Sequence, residues 1–369
     1  MSLSILHVAV ENICGIPLHL VKAHRRHGHR SHLVTYIPST RGYEDDLCLG
    51  YPMVGTPLLE KLKKTFKAGA WVREVEYGTL DEAPPPITYS TSFLGKKFVQ
   101  FRDSIWRRKL RKAIDEWGLL DYDIYHLEGG LGFLWSGEIV RELKARGKKI
   151  VTMYYGSDLR LRGIHPVVEA ASDLNLTIEY DHLSLYPNVK FLFLPMDLSR
   201  FAATETARDE RPLRIGHSPT RRELKGTESV IRAVDRVSKE HEVELVLIEG
   251  LPHEEAVRLK SRCHIFIDQV GNAGGTGYGV SSVESLAMAI PTITDFAPDL
   301  EEFLPDHPFI LANPDNLPEK ISALVEDPDL RRAKGEEGRQ WVMRNHHADR
   351  VAERIYGFYS EMGWSGDKR

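Results

Sequence analysis

Four glycines and one glutamate stand close together in GGTGYGVSSVESLAMAIPTITDF, the segment from Gly274 to Phe296. Glycines 274, 275, 277 and 279 precede a stretch of helical period, and Glu284 falls in its first turn. Bare backbone lets a ligand come close, and the N–H groups and dipole of a helix start favour an anion there. A phosphate is the natural guest. The same residues also spell an ordinary helix start, with Ser281 as the cap and Glu284, three residues on, completing a capping box. Two sharper phosphate motifs are excluded. No GK[ST] follows, so there is no P-loop, and the third glycine of GxGxxG is missing whether counted from Gly275 or Gly277.

A second helix start brings a cation. In IGHSPTRRELKGTESVIRAV a strand ends near Gly216, and Lys225-Gly226-Thr227 leads into a helix capped by Thr227. Both starts follow strands of one sheet. They can therefore converge on a single diphosphate, with Lys225 offsetting the charge that grows as it leaves. The competing reading makes Arg221, Arg222 and Lys225 a solvated loop.

The elements that must position these residues are parallel βαβ units. SILHVAV, a helical PLHLVKAHRRHGH and SHLVTYI form one unit at the start, and YDIYHLEG, KKIVTMYYG and VKFLFLP read as further buried strands. After LPMDLSRF the polar stretch Ala202 to Pro212 reads as a linker. The pattern then restarts with LRIGHSP, VELVLIEG, HIFIDQV, PTITDF and PFILA as strands, and helices near 227–239, 253–261, 280–289 and 316–326. The expected class is α/β, with two doubly wound halves whose strand ends face a cleft and bind one molecule each. The C-terminal helical stretch is longer than the second sheet needs and is expected to cross back to the first domain.

Composition agrees. A chain of 369 residues exceeds what one core usually serves, and a net charge of −4 with nearly balanced acids and bases excludes no partner class by itself. Cys14, Cys48 and Cys263 lack metal-ligand or CxxC spacing, which fits reduced thiols in a cytoplasmic protein and no structural zinc. The N-terminal run lacks a basic n-region, and no stretch reaches the roughly 18 apolar residues of a membrane span. The histidines of HRRHGHRSH read as a solvated helix end and turn, without metal. The basic segment 95–112 has Phe98, Phe101, Ile105 and Trp106 on an apolar side. It reads as a helix packed on its domain or as a peripheral contact with the inner face of a membrane.

Taken together, these stretches resemble the retaining nucleotide-sugar glycosyltransferases of family 4, which have the GT-B fold. TGYGVSSVESLAMAIPTI is similar to the family pattern E-G-F-G-x-x-x-x-E-A-M-A-x-G-x-P-V-I, and GHSPTRRELKGTESVIRAV to its G-R-x(n)-K-G-x-x-x-L-I-x-A segment. LPMDLSRF is similar to its interdomain VPNGVDLERF, and KKIVTMYYGSDLR to its PVVVTVHGSDLR. The similarity runs in order over nearly the whole chain. It implies an acceptor-binding domain at 1–200, a donor-binding domain at 201–345 and a returning helical segment at 346–369.

The resemblance implies roles residue by residue. Glu284 would hold the ribose hydroxyls of the nucleotide, Gly277, Tyr278, Gly279 and Val280 would turn their backbone to the diphosphate and donor sugar, and Lys225 would meet the diphosphate. Glu249 and Gly250, in IEGLP, would lie near the base. Gly15 would approach the diphosphate from the first domain. Thr276 replaces the family's first glutamate, which leaves the donor sugar open. His217 replaces its arginine, for which Arg221 or Arg222 would substitute. Tyr155 and Glu128 stand where the family has histidines, and with His126 and Asp158 they are the acceptor-side candidates; His126 reads equally as hydrogen-bonded structure. Lys225, Glu284 and Arg222 are the catalytic candidates.

The implied activity is transfer of a sugar, with retention, from a nucleotide diphosphate sugar to an acceptor hydroxyl. No cofactor, metal or nucleic acid is expected. A nucleotide-sugar epimerase and a non-catalytic sugar-nucleotide binding protein are the alternatives.

Overall fold

Near-continuous apolar runs cannot sit on a half-exposed sheet, so they demand helices on both faces. The protein, described here from a computed structural model covering residues 2–52, 54, 93–156, 158–204, 210–271 and 277–364, meets that demand twice. The chain divides into two compact units, Met1–Pro195 with Val351–Arg369, and Met196–Arg350. Each has its own parallel sheet.

In the first unit the strands are β1 (Ser4–Ala9), β2 (Arg30–Thr35), β3 (Leu47–Cys48), β4 (Ile124–Glu128), β5 (Lys149–Tyr154), β6 (Leu174–Thr177) and β7 (Val189–Phe191). Their order is β3-β2-β1-β4-β5-β6-β7, with every pairing parallel. The order reverses between β1 and β4, which makes the crevice beyond those two strand ends the natural ligand position. Leu18, Leu20 and Val21 of the helix Ile16–Arg26 and Ile139, Val140 and Leu143 of the helix Glu138–Ala145 are buried. Val351, Ala352, Ile355 and Tyr359, from the last helix Ala348–Glu361, are buried too.

In the second unit β8 (Leu213–His217), β9 (Val243–Leu247), β10 (Ile265–Ile267), β11 (Thr292–Thr294) and β12 (Ile310–Leu311) run in the order β12-β11-β10-β8-β9, again all parallel. The reversal falls between β8 and β10. The core is built from Val230, Ala233, Val234 and Val237 of the helix Thr227–Val237, the strand residues Ile215, Ile265 and Ile293, and Ile321 and Leu324 of the helix Leu317–Glu326.

Several expectations change. β3 and β6 were not read from the sequence. β3 is two residues long, and β6 reads LNLT, where Asn175 interrupts the apolar run. His24, expected in solvent, is fully buried against Tyr356, whereas His27 on the next turn is exposed. In the helix Phe93–Trp117 the expected apolar side splits, because Trp106 is only 2% exposed while Phe101 is 59% and Ile105 37% exposed. Trp106 joins Leu110, Ala113 and Ile114 in the core and donates its indole N–H to the Pro52 carbonyl at 2.8 Å. Among the described residues no helix is long and apolar enough to cross a membrane.

Gly226 is where the backbone of the second unit is most tightly specified. Its φ is +64°, and an added Cβ would lie 1.9 Å from the Val270 carbonyl oxygen. Alanine there must adopt a left-handed conformation, at about 1–2 kcal/mol, and push back the chain after β10 as well. Gly226→Ala should therefore lower the unfolding free energy by at least about 2 kcal/mol in urea titrations. Gly28→Ala, with positive φ but open space around it, should lose less.

Candidate functional site

The second sheet's reversal point is organised by a residue the sequence reading did not single out. Asp268 follows β10, is 1% exposed, and accepts from three directions. Lys225 Nζ donates to its Oδ1 at 2.7 Å, while the Gly279 backbone N–H and the Ser282 hydroxyl donate to its Oδ2 at 3.1 and 2.6 Å. Burial alone would raise the Asp268 pKa, but Lys225 and the hydrogen bonds outweigh it and bring it below the usual range. Lys225 also reaches Gln269 Oε1 at 3.2 Å. Lys225 and the start of the helix Val280–Ala287 are thus brought together, as the sequence expects. The anion already between them is a carboxylate.

That helix is not held by a capping box. Its N-cap is Gly279, and Glu284 turns away from the cap into a buried ion pair. Lys260 Nζ donates to Glu284 Oε2 at 2.6 Å and His253 Nε2 lies 2.6 Å from Oε1. His253 and Lys260 lie seven residues apart on the helix His253–Lys260, two turns along one face, so both reach the same carboxylate. Burial opposes ionisation of Glu284, but Lys260 and His253 prevail and lower its pKa to about 2. Lys260 also donates to the Ser281 hydroxyl at 3.0 Å, the group expected to cap the helix.

The remaining donor-side candidates fall into two sets. Arg222 and Glu249 meet in a two-pronged pair at 2.9 and 2.7 Å on the exposed rim, with Gly250 and Arg221 exposed nearby in sequence. His217 goes inward. Its Nδ1 bonds the Ile267 carbonyl at 2.8 Å and its Nε2 faces the Thr227 hydroxyl at 2.9 Å, so the ring ties β8 to β10. Burial lowers its pKa, which keeps it neutral. Thr227 is therefore not the cap of its helix; Gly226 is. Tyr278 points into an aromatic cluster, 4.8 Å from Phe309 and 5.7 Å from Trp341 between ring centroids, with its hydroxyl 3.2 Å from His346 Nε2. Gly277 packs closely, since an added Cβ would lie 2.1 Å from Leu300 Cδ2 and displace the end of that side chain. Val280 begins the helix. Thr276 lies outside the described residues.

In the first unit Gly15, with φ +76°, starts the helix Ile16–Arg26 after β1. At the end of β4, Glu128 is 3% exposed and bonds the Tyr155 hydroxyl and His7 Nδ1. Burial raises its pKa to about 8, against the Tyr155 hydrogen bond. His126 is fully buried in the interior of this unit, with its Nε2 bonded to the Tyr359 hydroxyl. Asp158 is more open; it accepts the Tyr155 N–H at 2.9 Å and pairs with Arg162 at 3.0 Å.

The Glu284 environment makes a definite prediction. Glu284→Gln leaves Lys260, 2% exposed, as an uncompensated buried charge, so unfolding free energy should fall by about 3–5 kcal/mol. Adding Lys260→Met should recover most of it. The acid limb follows in sign. A carboxylate whose folded pKa is about 2 contributes stability above its unfolded pKa and loses it as pH falls from about 4.3 towards 2. The Glu284→Gln/Lys260→Met double variant should lack that component in denaturation curves taken across this range.

Comparison with known proteins places this geometry in context. Residues 218–357 match the family model described as Glycosyl transferase-like, a span that includes Lys225, Asp268 and Glu284. No curated protein matches the chain. Among solved structures, Alr3699/HepE from Anabaena in complex with UDP and glucose is similar with a TM-score of 0.57 and 11% identity, covering 97% of this chain and 99% of that one. Its UDP-glucose complex gives 0.56 and 10%, covering 97% and 100%. The glycosyltransferase SnogD from Streptomyces nogalater gives 0.50 and 14%, covering 97% and 100%. The two parallel-sheet units are the Rossmann-like domains of the GT-B fold, and most of the second carries a glycosyl-transferase-like match.

Proposed function

We propose that this protein is a glycosyltransferase that moves a sugar from a nucleotide diphosphate sugar to an acceptor hydroxyl with retention. One observation carries the reading. At the reversal point of the second sheet, Lys225 is 19% exposed and held by a buried carboxylate beside the glycine-bounded start of a helix. A cation kept there, with one face accessible, suits a group that arrives and leaves as a diphosphate.

In the proposed reaction the bond between the anomeric carbon and the diphosphate oxygen breaks as the acceptor oxygen bonds the same carbon from the same face. The acceptor's proton passes to the departing diphosphate. Charge grows on that diphosphate, and Lys225 answers it by exchanging its bond to Asp268 for one to phosphate. Asp268 is a positioning residue that holds Lys225 and Gly279 in register. Glu284 would meet the ribose with lone pairs left over from Lys260 and His253, since each carboxylate oxygen can accept more than one donor. Retention, metal independence and acceptor binding by the first unit rest on the family resemblance.

The first experiment is a thermal-shift screen of nucleotide diphosphate sugars, starting with UDP sugars because a structural neighbour binds UDP-glucose. A ligand at a hundred times its dissociation constant adds about 2.7 kcal/mol of apparent stability. Nucleotide release that requires acceptor supports transfer. Epimerisation of the donor alone would identify an isomerase, and binding without turnover a sugar-nucleotide binding protein.

Two kinetic outcomes follow. Lys225→Ala should lower kcat by about 100-fold or more, with a smaller change in affinity for the intact donor. A raised KM with unchanged kcat would show that Lys225 contributes only uniform binding. Transfer should also persist in EDTA. Loss that magnesium or manganese restores would overturn the metal-free step.

A further inference from the structure

Two histidines and a glutamate meet in the sealed interior of the first unit. β1 and β4 are in parallel register with His7 opposite His126, and their rings stack with centroids 4.3 Å apart. Glu128, two residues beyond His126, lies on the same face of β4. His7 and His126 are 0% exposed and Glu128 3%. Each of the three offers a ligand atom, and these atoms all lie within 4.8 Å of one another.

The hydrogen bonding around them is incomplete in a particular way. His7 Nδ1 is 2.6 Å from Glu128 Oε1, and His126 Nε2 is bonded to the Tyr359 hydroxyl. The other nitrogens, His7 Nε2 and His126 Nδ1, are buried with no hydrogen-bond partner among the described residues. His24 repeats the arrangement from the facing helix, with Nδ1 2.6 Å from the Tyr356 hydroxyl and a buried Nε2 that has no partner among the described residues. Its ring centroid lies 5.3 Å from that of His7. A buried imidazole nitrogen without a partner is unfavourable, and His126 Nδ1, on a ring stacked against His7 and two residues from Glu128, calls for one. His126, whose Nε2 is fixed by the Tyr359 hydroxyl, and His24, whose Nδ1 meets the Tyr356 hydroxyl, have the usual form of a metal-binding histidine, while His7 faces Glu128 through Nδ1.

We propose that the first unit holds one divalent transition-metal ion, zinc by its donor set, between His7, His126 and Glu128, with His24 nearest for the fourth position. Imidazole nitrogens with a single carboxylate oxygen suit zinc and disfavour magnesium or calcium, which prefer all-oxygen sets. Bonds of about 2.0–2.1 Å to a tetrahedral zinc place donors about 3.4 Å apart, so the 2.6 Å contact of His7 Nδ1 with Glu128 Oε1 opens to admit the ion and the other donors draw together. The ion fastens β1 to β4 directly beneath the reversal point of the sheet. It is separate from the proposed donor chemistry in the second unit and stands whether or not that reading does.

The test uses the full chain without a histidine tag, expressed with zinc, dialysed and assayed for metal by mass spectrometry. About one zinc per chain is expected, and cobalt exchanged into the protein should give the intense visible bands of a tetrahedral site. X-ray absorption at the zinc edge should show nitrogen and oxygen neighbours without sulfur. His126→Gln and His7→Gln should lose the metal, whereas His27→Gln, at an exposed position, should keep it. Should the interior variants fail to fold, the cobalt and absorption spectra of the unaltered protein decide. No metal as isolated or after incubation with zinc or cobalt overturns the proposal and leaves buried water as the partner of these nitrogens. So does stoichiometric metal that survives in folded His7 and His126 variants.

Discussion

The second unit depends on one buried negative charge. Asp268 sits at the end of β10, where neighbouring connections diverge, and it joins pieces that secondary structure alone would leave independent: the lysine before one helix, the backbone at the start of another and a serine inside it. Because the carboxylate is nearly inaccessible to water, its ionisation relies on those donors, and their positions rely on it. An incoming phosphate group would therefore compete with Asp268 for Lys225 rather than fill an unoccupied cradle. In the proposed reaction this arrangement would hold the cation ready without leaving it free to bind whatever anion diffuses past.

Two lysine–carboxylate pairs of the same unit show how burial separates roles. In the Lys225–Asp268 pair the cation keeps 19% of its side chain exposed, so it can exchange partners. In the Lys260–Glu284 pair both sides are closed, at 2% and 5%, and the lysine further lies over the Phe266 ring at 4.8 Å. Exchange there would strand a charge in a dry interior. The first pair is suited to chemistry and the second to holding the helix Val280–Ala287 against the helix His253–Lys260, with any ligand contact made through what remains of the glutamate's hydrogen-bonding capacity.

Much of the fold was legible because buried parallel strands announce themselves as apolar runs, and the four helices given bounds in the second unit ended within two residues of them, whereas the short helices Arg222–Lys225 and Pro298–Phe303 were not expected. What escaped were β3 and β6, one too short and one broken by Asn175. In the site, Lys225 and the glycine-bounded helix start were readable from local pattern, but their shared partner was not, since Asp268 lies 43 residues from Lys225 and nothing in DQV marks its charge as buried. The helix that carries His253 and Lys260 was expected, but their shared face was not read, and only the fold shows Glu284 beneath it. Ser281 and Glu284 made a convincing capping box on paper because the rule considers only local partners, whereas a buried lysine across the domain binds the carboxylate more strongly. In the first unit, His7 and Glu128 are 121 residues apart, and only parallel register brings them together.

The interior of the first unit is completed from far along the chain. Tyr356 and Tyr359 close on His24 and His126, and Val351, Ala352 and Ile355 are buried with them. On the ribosome, therefore, the unit whose strands are made first is the last to be finished. Its sheet can assemble early, but its buried histidines meet their tyrosines only after residues 196–350 have been synthesised. The second unit, continuous in sequence, has every residue of its core available before then. Order of synthesis and order of completion are inverted, and until residues 351–364 are made His24 and His126 lack the tyrosine hydroxyls they bond in the finished fold.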